Sequence, residues 1–151
     1  MLNFDEKDVR VRVAGIVIND KRVLLISHKK DGNEYWLLPG GGVSFLETLE
    51  EALKREFNEE LNIDVAVQKI ALVCDSIDPD EKRHIINICF HCSYEGGDYR
   101  LGDDNRLSGY GYFNAQELEQ LKIYPPINDE LVNIIRNKPQ TIYLGKLWLD
   151  E

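Results

Sequence analysis

The sequence has few cysteines, a deficit of basic residues and no long apolar run. Its three cysteines are an odd number, so they do not indicate the disulfide framework of a small secreted domain. Lysine and arginine total 18 against 27 acidic residues, a net charge of −9, which disfavours a nucleic-acid polymer as the partner. No segment is apolar for the length of a membrane span, and the acidic start "MLNFDEKDVR" does not resemble a secretory signal. We therefore expect a cytoplasmic protein that does not enter membranes.

The scarce cysteines include one C-x-x-C pair, Cys89 and Cys92. The surrounding "HIINICFHCSY" has strand composition, and residues three apart on a strand point to opposite faces. A tetrahedral zinc site would also need a second pair of ligands. Cys74 and His84 could be recruited, but the sequence favours buried strand cysteines over zinc.

What the chain does have is the composition of one globular domain, with 43% hydrophobic and 30% charged residues over 151 positions. We expect a single domain over 1–151, built as an α/β (α+β) layered structure in which strands and helices alternate. Apolar runs and capped periodic segments predict its elements. The predicted strands are 9–18, 23–28, 35–38, 63–74, 84–94 and 110–113, with a strand-like tail at 141–151, and the predicted helices are 48–62, 114–121 and 127–137.

The first predicted helix carries an unusual group of carboxylates in "REFNEEL". At about 100° per residue, Glu56 and Glu60 fall inside the apolar arc of the helix and Glu59 falls at its edge. A solvated charged face would not place them there, because a buried carboxylate without a partner is strongly unfavourable. Arg55 points too far away to serve both Glu56 and Glu60, so another cation is needed. Mg²⁺ or Mn²⁺, which prefer oxygen ligands, is the natural candidate.

The loop before this helix contains "PGGG", from Pro39 to Gly42. We expect irregular backbone there, since three glycines in succession weaken regular structure. Glycine is useful where φ is positive or where the backbone closely approaches another group. A plain tight turn is one interpretation. Beside a carboxylate-rich helix, the sequence favours backbone groups that approach a metal or a phosphate.

The segment from Gly41 to Ile63 resembles the Nudix box, G-x5-E-x7-R-E-U-x-E-E-x-G-U, where U is a bulky aliphatic or aromatic residue. The one departure is Asn62, where the family has glycine. Asparagine also tolerates the left-handed conformation of a helix C-cap, so this departure does little to weaken the resemblance. The matching positions are Gly41, Glu47, Arg55, Glu56, Phe57, Glu59, Glu60 and Ile63.

This resemblance implies an α/β/α sandwich with a central mixed sheet. It also implies hydrolysis of a nucleoside diphosphate linked to another group, such as a nucleoside polyphosphate, ADP-ribose or a nucleotide sugar, by attack of water on phosphorus. By the same resemblance, Mg²⁺ or Mn²⁺ is bound by Glu56, Glu59 and Glu60 with a backbone carbonyl from Gly41 or Gly40. One of the three glutamates acts as the base, and Glu47 pairs with Arg55 to orient the loop against the helix.

Residues outside the box give several open alternatives for contacts with the substrate. Asp103 and Asp104 could supply a further acidic group, or they could form a solvated turn. Basic side chains could hold phosphates or simply keep the surface soluble, and aromatic ones could stack a base or fill the core. The basic candidates are Lys29, Arg83, Arg100 and Arg106, and the aromatic candidates are Tyr35, Trp36, Tyr110 and Tyr112.

Three further points concern the alternative function, the substrate and the C-terminal tail. A Nudix-fold domain that binds a nucleotide as a sensor without cleaving it is the alternative function, although such domains often lose box carboxylates and this one keeps them. Pro79 falls near the position where ADP-ribose-hydrolysing members carry a proline. The tail with Trp148 either packs against its own domain or forms a homodimer contact.

Overall fold

The computed structural model describes residues 8–148, which form eight strands and three helices. Most predicted elements are present within a few residues of the expected bounds. The strands are β1 (Arg10–Asn19), β2 (Arg22–Lys30), β3 (Asn33–Leu37), β4 (Gly40–Gly42), β5 (Asp64–Ile77), β6 (His84–Gly96), β7 (Leu107–Phe113) and β8 (Tyr143–Lys146); the helices are α1 (Leu49–Leu61), α2 (Ala115–Leu118) and α3 (Asn128–Ile135).

The strands form one mixed sheet with the central order β3-β2-β1-β6-β5-β8. β4 pairs with β1 and β7 pairs with β2, so each strand of the β1–β2 hairpin has its own additional partner. β1 and β2 pair only next to their turn, at Ile18 with Val23 and Asn19 with Arg22, and then separate. β1 continues in parallel with β6, whereas β2 lies between β3 and β7.

Two hydrophobic clusters cover the two faces of the sheet. One cluster contains Leu53, Phe57 and Leu61 of α1 together with β1, β2 and β5 residues. The other contains Leu118 of α2 and Leu131 of α3 against the opposite side of the same strands. Alternate residues of a strand supply the two clusters, as the two-residue period requires. The predicted α/β/α sandwich with a mixed sheet is therefore confirmed.

The first helix has the bounds that its capping signals predict. The Thr48 hydroxyl accepts from the Glu51 N–H, and the Glu51 carboxylate accepts from the Thr48 N–H, which completes a capping box. Asn62 closes the helix in the left-handed conformation, with φ of 58°. Ser44 and Glu47 form a separate turn before the helix, in which the Ser44 N–H donates to the Glu47 carboxylate.

The expectation of irregular backbone at "PGGG" is wrong. Gly40–Gly42 form the short strand β4, antiparallel to β1, with Gly41 opposite Val13. None of these three glycines has positive φ. A Cβ on Gly40 would lie 2.0 Å from the Val13 carbonyl oxygen, so the strand needs glycine for close approach and not for left-handed backbone.

The predicted strand-like tail forms β8, which pairs in parallel with β5. The Trp148 ring lies 6.4 Å from the Tyr124 ring at a steep angle, so the tail packs against its own domain. Residues 149–151 of the predicted tail lie outside the described part of the chain, and the homodimer contact stays a prediction. Within residues 8–148, no helix is long and apolar enough to cross a membrane.

The cysteines of the C-x-x-C pair lie in different places. Cys92 belongs to the cluster under α1, whereas Cys89 belongs to the cluster under α2 and α3. Both are buried free thiols, as is Cys74. Because Cys89 and Cys92 face opposite sides of the sheet, they do not bind one zinc ion together, and the interpretation as strand cysteines is confirmed.

Candidate active site

The last two turns of α1 present the three clustered glutamates at the edge of the sheet. Phe57 and Leu61 anchor the helix because both are fully buried. Glu56 is largely buried, with 15% of its side chain exposed, whereas Glu59 is 58% exposed. β4 lies directly opposite, so a Cβ on Gly41 would be 2.4 Å from the Glu56 carboxyl carbon. The absence of a side chain at Gly41 thus leaves room for the Glu56 carboxylate.

One guanidinium group connects the loop to the helix. Arg55 Nε donates to Glu47 Oε2 at 2.7 Å and Nη2 donates to Glu47 Oε1 at 2.9 Å, which forms a two-point ion pair. Arg55 Nη1 donates to Glu56 at 2.8 Å and to Glu59 at 3.3 Å, and Nη2 also donates to the Gly42 carbonyl at 3.1 Å. The bonds from Arg55 to Glu47, together with one from the Ser44 N–H, lower the pKa of Glu47 to about 2. The loop and the helix are therefore joined by a network centred on Arg55.

Glu60 lies outside this network and is stabilised differently. Its Oε1 accepts a 2.9 Å hydrogen bond from the Gly40 N–H of β4. Burial raises the pKa of Glu60 to about 8, even though the Arg12 charge and this hydrogen bond lower it. Burial also raises the pKa of Glu56, against the lowering effect of Arg55. Both carboxylates would thus be further stabilised by an added cation.

A cleft lies between the side chains of the C-terminal half of α1 and the segment 100–107, which contacts the end of the helix. Its volume is about 580 Å³, within the range of small-molecule sites. The Arg100 N–H donates to the Leu61 carbonyl and the Gly102 N–H donates to the Glu60 carbonyl, so backbone bonds fasten this segment to the helix end. The cleft is lined by Glu56, Asn58, Glu59, Glu60, Asn62, Arg100, Leu101, Gly102, Asp103, Asp104 and Leu107.

The predicted substrate-contacting residues are distributed unevenly around this cleft. Asp104 lines it and forms an ion pair with Arg106 at 3.1 Å, which lowers the pKa of Asp104. Lys29 is exposed on β2 and lies 3.8 Å from the Glu34 carboxylate. Arg83 is exposed in the connection between β5 and β6. Asp103 and Arg100 also line the cleft, whereas Lys29 and Arg83 do not, and the roles of all of them stay predictions.

Sequence reasoning missed Arg12, whose charge acts on the clustered glutamates, and His28, whose charge lowers the pKa of Asp104. Arg12 on β1 donates to the Leu38 carbonyl at 2.9 Å, and its charge lowers the pKa of both Glu56 and Glu60. His28 on β2 is 8% exposed, and burial lowers its pKa, with the charge of Arg106 contributing. A single basic residue within a strand gives no signal in sequence, because the neighbours that matter come from other elements.

The donor atoms at this site have the chemistry that a hard divalent cation requires. They comprise the carboxylates of Glu56, Glu59 and Glu60 and the backbone carbonyls of β4, all of them oxygens. Within residues 8–148, no three acidic, imidazole or thiol groups are already gathered as a metal site. Arg55 accounts for this in part, because one of its nitrogens engages both Glu56 and Glu59. The donor set fits a divalent metal, and the partly buried Glu60 carboxylate is the strongest sign of that fit.

Comparison with known proteins connects this geometry to a family. The NUDIX domain family profile matches residues 8–133. An ADP-ribose pyrophosphatase from Methanocaldococcus jannaschii is 39% identical over 112 residues, which cover 74% of this chain and 65% of that protein. An RNA pyrophosphohydrolase from Wolbachia pipientis subsp. Culex pipiens is 33% identical over 92 residues, 61% of this chain and 56% of that protein. This chain belongs to the NUDIX family.

A solved structure agrees with this assignment. The MutT NUDIX hydrolase from Burkholderia pseudomallei superposes with a TM-score of 0.72 at 28% identity, over 82% of this chain and 96% of that one. The two sequence relatives are each matched over less than two thirds of their own length. The family resemblance expected from the sequence is confirmed. Gly41 of the box lies on β4 and most of its other residues lie on α1, whereas Glu47 lies in the loop between the two elements and Ile63 follows the helix.

Proposed function

We propose that this protein is a divalent-metal-dependent pyrophosphohydrolase that cleaves a nucleoside diphosphate linked to another group. The observation that carries the proposal is the partly buried Glu60 carboxylate beside Glu56 and Glu59, at the mouth of a cleft large enough for a nucleotide. A similar M. jannaschii protein is named ADP-ribose pyrophosphatase, and Pro79 lies near the position where ADP-ribose-hydrolysing members carry a proline. ADP-ribose is therefore the first substrate to test.

In the proposed reaction, the residues of the site bind the metal, orient the carboxylates and accept a proton. Glu56, Glu59 and Glu60, with a carbonyl of β4 at Gly41, would hold Mg²⁺ or Mn²⁺. A bound divalent ion neutralises charge on phosphate oxygens and lowers the pKa of bound water. Arg55 keeps the carboxylates oriented, and one of the three glutamates accepts the proton of the attacking water. The metal also lets a chain of net charge −9 accept an anionic substrate.

The net charge and the size of the cleft support the proposed substrate class. A small nucleoside diphosphate compound suits an acidic surface better than a nucleic-acid polymer, because polymer binding depends on many phosphate contacts. One matched relative is named RNA pyrophosphohydrolase, so a short 5′-triphosphorylated RNA belongs among the compounds tested. We expect it to be a poorer substrate than ADP-ribose.

The test is hydrolysis of ADP-ribose, nucleoside triphosphates, nucleotide sugars, dinucleoside polyphosphates and the short RNA, with Mg²⁺ or Mn²⁺. Glu59→Gln and Glu60→Gln are expected to lower kcat at least 100-fold, as the loss of a metal ligand or base does. The matched control is Glu50→Gln on the outer face of the same helix, where Glu50 pairs with Lys54. Glu50→Gln should retain wild-type turnover.

Two outcomes would contradict the proposal. Turnover that persists in EDTA, or that survives in both Glu59→Gln and Glu60→Gln, would exclude this site as the metal-dependent centre. Tight nucleotide binding without turnover of any compound would favour the sensor function instead.

A further inference from the structure

Three tyrosine rings from separate parts of the chain lie in one near-parallel stack. Tyr94 comes from β6, Tyr99 from the segment after it, and Tyr110 from β7. The ring centroids of Tyr94 and Tyr99 are 5.7 Å apart with 9° between the planes, and those of Tyr99 and Tyr110 are 5.3 Å apart with 13°. We call these three residues the tyrosine stack. Tyr99 is the ring shared by both stacked pairs.

The stack is held in place by hydrogen bonds at its hydroxyl groups. The Tyr99 hydroxyl bonds to the hydroxyl of Tyr112, whose ring lies edge-on to Tyr99. The Tyr94 hydroxyl donates to the Gly97 carbonyl. Tyr110 is 41% exposed and Tyr94 is 46% exposed, although each has one neighbouring ring. The structure thus presents two fixed aromatic rings to solvent, one at each end of the stack.

The structure also separates the four aromatic residues that could stack a base. Trp36 packs against Phe113 at 4.8 Å within the cluster under α2 and α3. Tyr35 lies edge-on to its neighbours, 5.1 Å from the Tyr124 ring centroid, and Tyr112 supports Tyr99. Of these four, Tyr110 alone is an exposed ring. A flat ligand can therefore reach the ring of Tyr110 without displacing core residues.

The backbone connects the Tyr110 end of the stack to the cleft. Leu107 begins β7 and lines the cleft with Glu60, and Tyr110 follows three residues later on the same strand. At about 3.3 Å per residue, Tyr110 lies roughly 10 Å along the strand from Leu107. Tyr110 is paired with Ile26, which belongs to the cluster under α1, so its ring is on the sheet face that carries α1. A ribose and its phosphates can span that interval.

We propose that the exposed face of Tyr110 stacks the base of a nucleoside diphosphate whose phosphates lie in the cleft. This inference rests on the proposed function and specifies how the substrate is recognised. Stacking depends on ring area and not on hydrogen bonds to the base edges. The site therefore accepts different bases, and it binds purine nucleotides more tightly than pyrimidine nucleotides because the larger ring covers more of the tyrosine.

The test is equilibrium binding of 1,N6-ethenoadenosine diphosphate in Mg²⁺, measured by its fluorescence, which requires no turnover. Tyr110→Leu removes the ring and should weaken binding roughly 5- to 100-fold, in line with base–aromatic stacking elsewhere. Tyr110→Phe keeps the ring and should bind as wild type does. Tyr94→Leu, at the opposite end of the stack, is the matched control and should also leave binding unchanged.

Kinetics provide a second measurement of the same contact. With a nucleotide that the wild type hydrolyses, Tyr110→Leu should raise KM by a similar factor and change kcat little, because stacking contributes equally before and during reaction. Wild-type binding in Tyr110→Leu, or a loss in Tyr94→Leu but not in Tyr110→Leu, would overturn the inference. Absence of ethenoadenosine diphosphate binding by the wild-type protein at millimolar concentration would overturn it too.

The two proposals fail in distinguishable ways. If no compound is hydrolysed but Tyr110→Leu still weakens binding, the proposed function fails and the stacking site stands. If hydrolysis occurs and Tyr110→Leu binds as wild type does, only the stacking site fails. Circular dichroism and thermal denaturation of each variant establish that the fold is intact, which the exposure of Tyr110 and Tyr94 leads us to expect.

Discussion

The three consecutive glycines of β4 have different neighbours, so the same substitution, glycine to alanine, should have a different effect at each of them. A Cβ on Gly40 would lie 2.0 Å from the Val13 carbonyl oxygen, which is backbone. A Cβ on Gly41 would lie 2.4 to 2.6 Å from the Glu56 carboxyl atoms, which end a flexible side chain. A Cβ on Gly42 would meet nothing within 4 Å. Since none of the three has positive φ, contact alone distinguishes them.

Gly40→Ala should destabilise the fold. To bring the Val13 oxygen from 2.0 Å to at least the 3.0 Å that real Cβ contacts require, β4 must move about 1 Å away from β1. Overpacking of this kind costs about 1–3 kcal/mol, and weakened strand hydrogen bonds add about 1 kcal/mol. For a domain of this size, a loss of about 3 kcal/mol lowers Tm by roughly 6–12 °C.

Gly41→Ala should affect activity more than stability. Glu56 can rotate away from the new methyl group, which breaks its 2.8 Å bond to Arg55 and moves a proposed metal ligand. Alanine also restricts the unfolded chain, a gain of about 0.4–1 kcal/mol that offsets part of the loss. Gly42→Ala has that gain and no clash, so its Tm should equal or exceed the wild-type value with turnover retained.

Thermal and guanidinium denaturation of the three variants, with hydrolysis measured beside them, checks this order. If Gly40→Ala were as stable as the wild type, the close approach of β4 to β1 would be refuted. If Gly42→Ala lost as much stability as Gly40→Ala, a general need for glycine in this strand would explain the result better than local contact.

Two further predictions concern the ends of α1 and its loop. Hydrogen bonds from Arg55 and Ser44 lower the folded-state pKa of Glu47 to about 2, so its contribution to stability is present above the unfolded value of 4.5 and is lost as pH falls toward 2. The Tm difference between the wild type and Glu47→Gln should therefore be largest near neutral pH and shrink below pH 4.5; a difference independent of pH would exclude the ion pair as its source. Asn62 has φ of 58°, so Asn62→Ala should lower the free energy of unfolding by about 1 kcal/mol, whereas Asn62→Gly should stay closer to wild type despite losing the Asn62 bond to the Asp98 carbonyl. Equal denaturation midpoints for these two variants would contradict the assigned C-cap.

The sequence predicts the first helix well because its signals are local. Thr48 and Glu51 are three residues apart, and their capping box forms within one turn. Asn62 follows directly after the last apolar residue of the helix, where a left-handed C-cap is expected. The angular positions of Glu56 and Glu60 depend only on helical period, and both are partly buried as predicted. Residues within the segment are therefore enough to predict the bounds of the helix and the orientation of its carboxylates.

The connections of the site to the rest of the sheet depend on residues far apart in sequence. Gly41 pairs with Val13, 28 positions away, and no property of "PGGG" selects that partner. The helical angle of Arg55 predicts that it does not serve both Glu56 and Glu60, and in the structure Arg55 bonds to Glu56 and not to Glu60. The resemblance implies the pair with Glu47, but the angle does not reveal that the long side chain also reaches Glu59. Non-local pairing and side-chain length are thus the parts that single-sequence reasoning could not supply.

Gly102 shows a feature of the far wall of the cleft that the sequence does not reveal. In sequence it stands in "RLGDDN", a composition typical of a solvated turn. In the structure, a Cβ on Gly102 would lie 2.1 Å from the Glu59 carbonyl oxygen, while its N–H donates to the Glu60 carbonyl. Glycine at 102 therefore lets one backbone lie against the end of α1, just as glycine at 40 and 41 lets β4 lie against β1 and Glu56. On both sides of the site, a backbone segment approaches α1 or β1 closely because glycine has no side chain. The sequence does not distinguish a glycine that allows such an approach from a glycine that forms a turn.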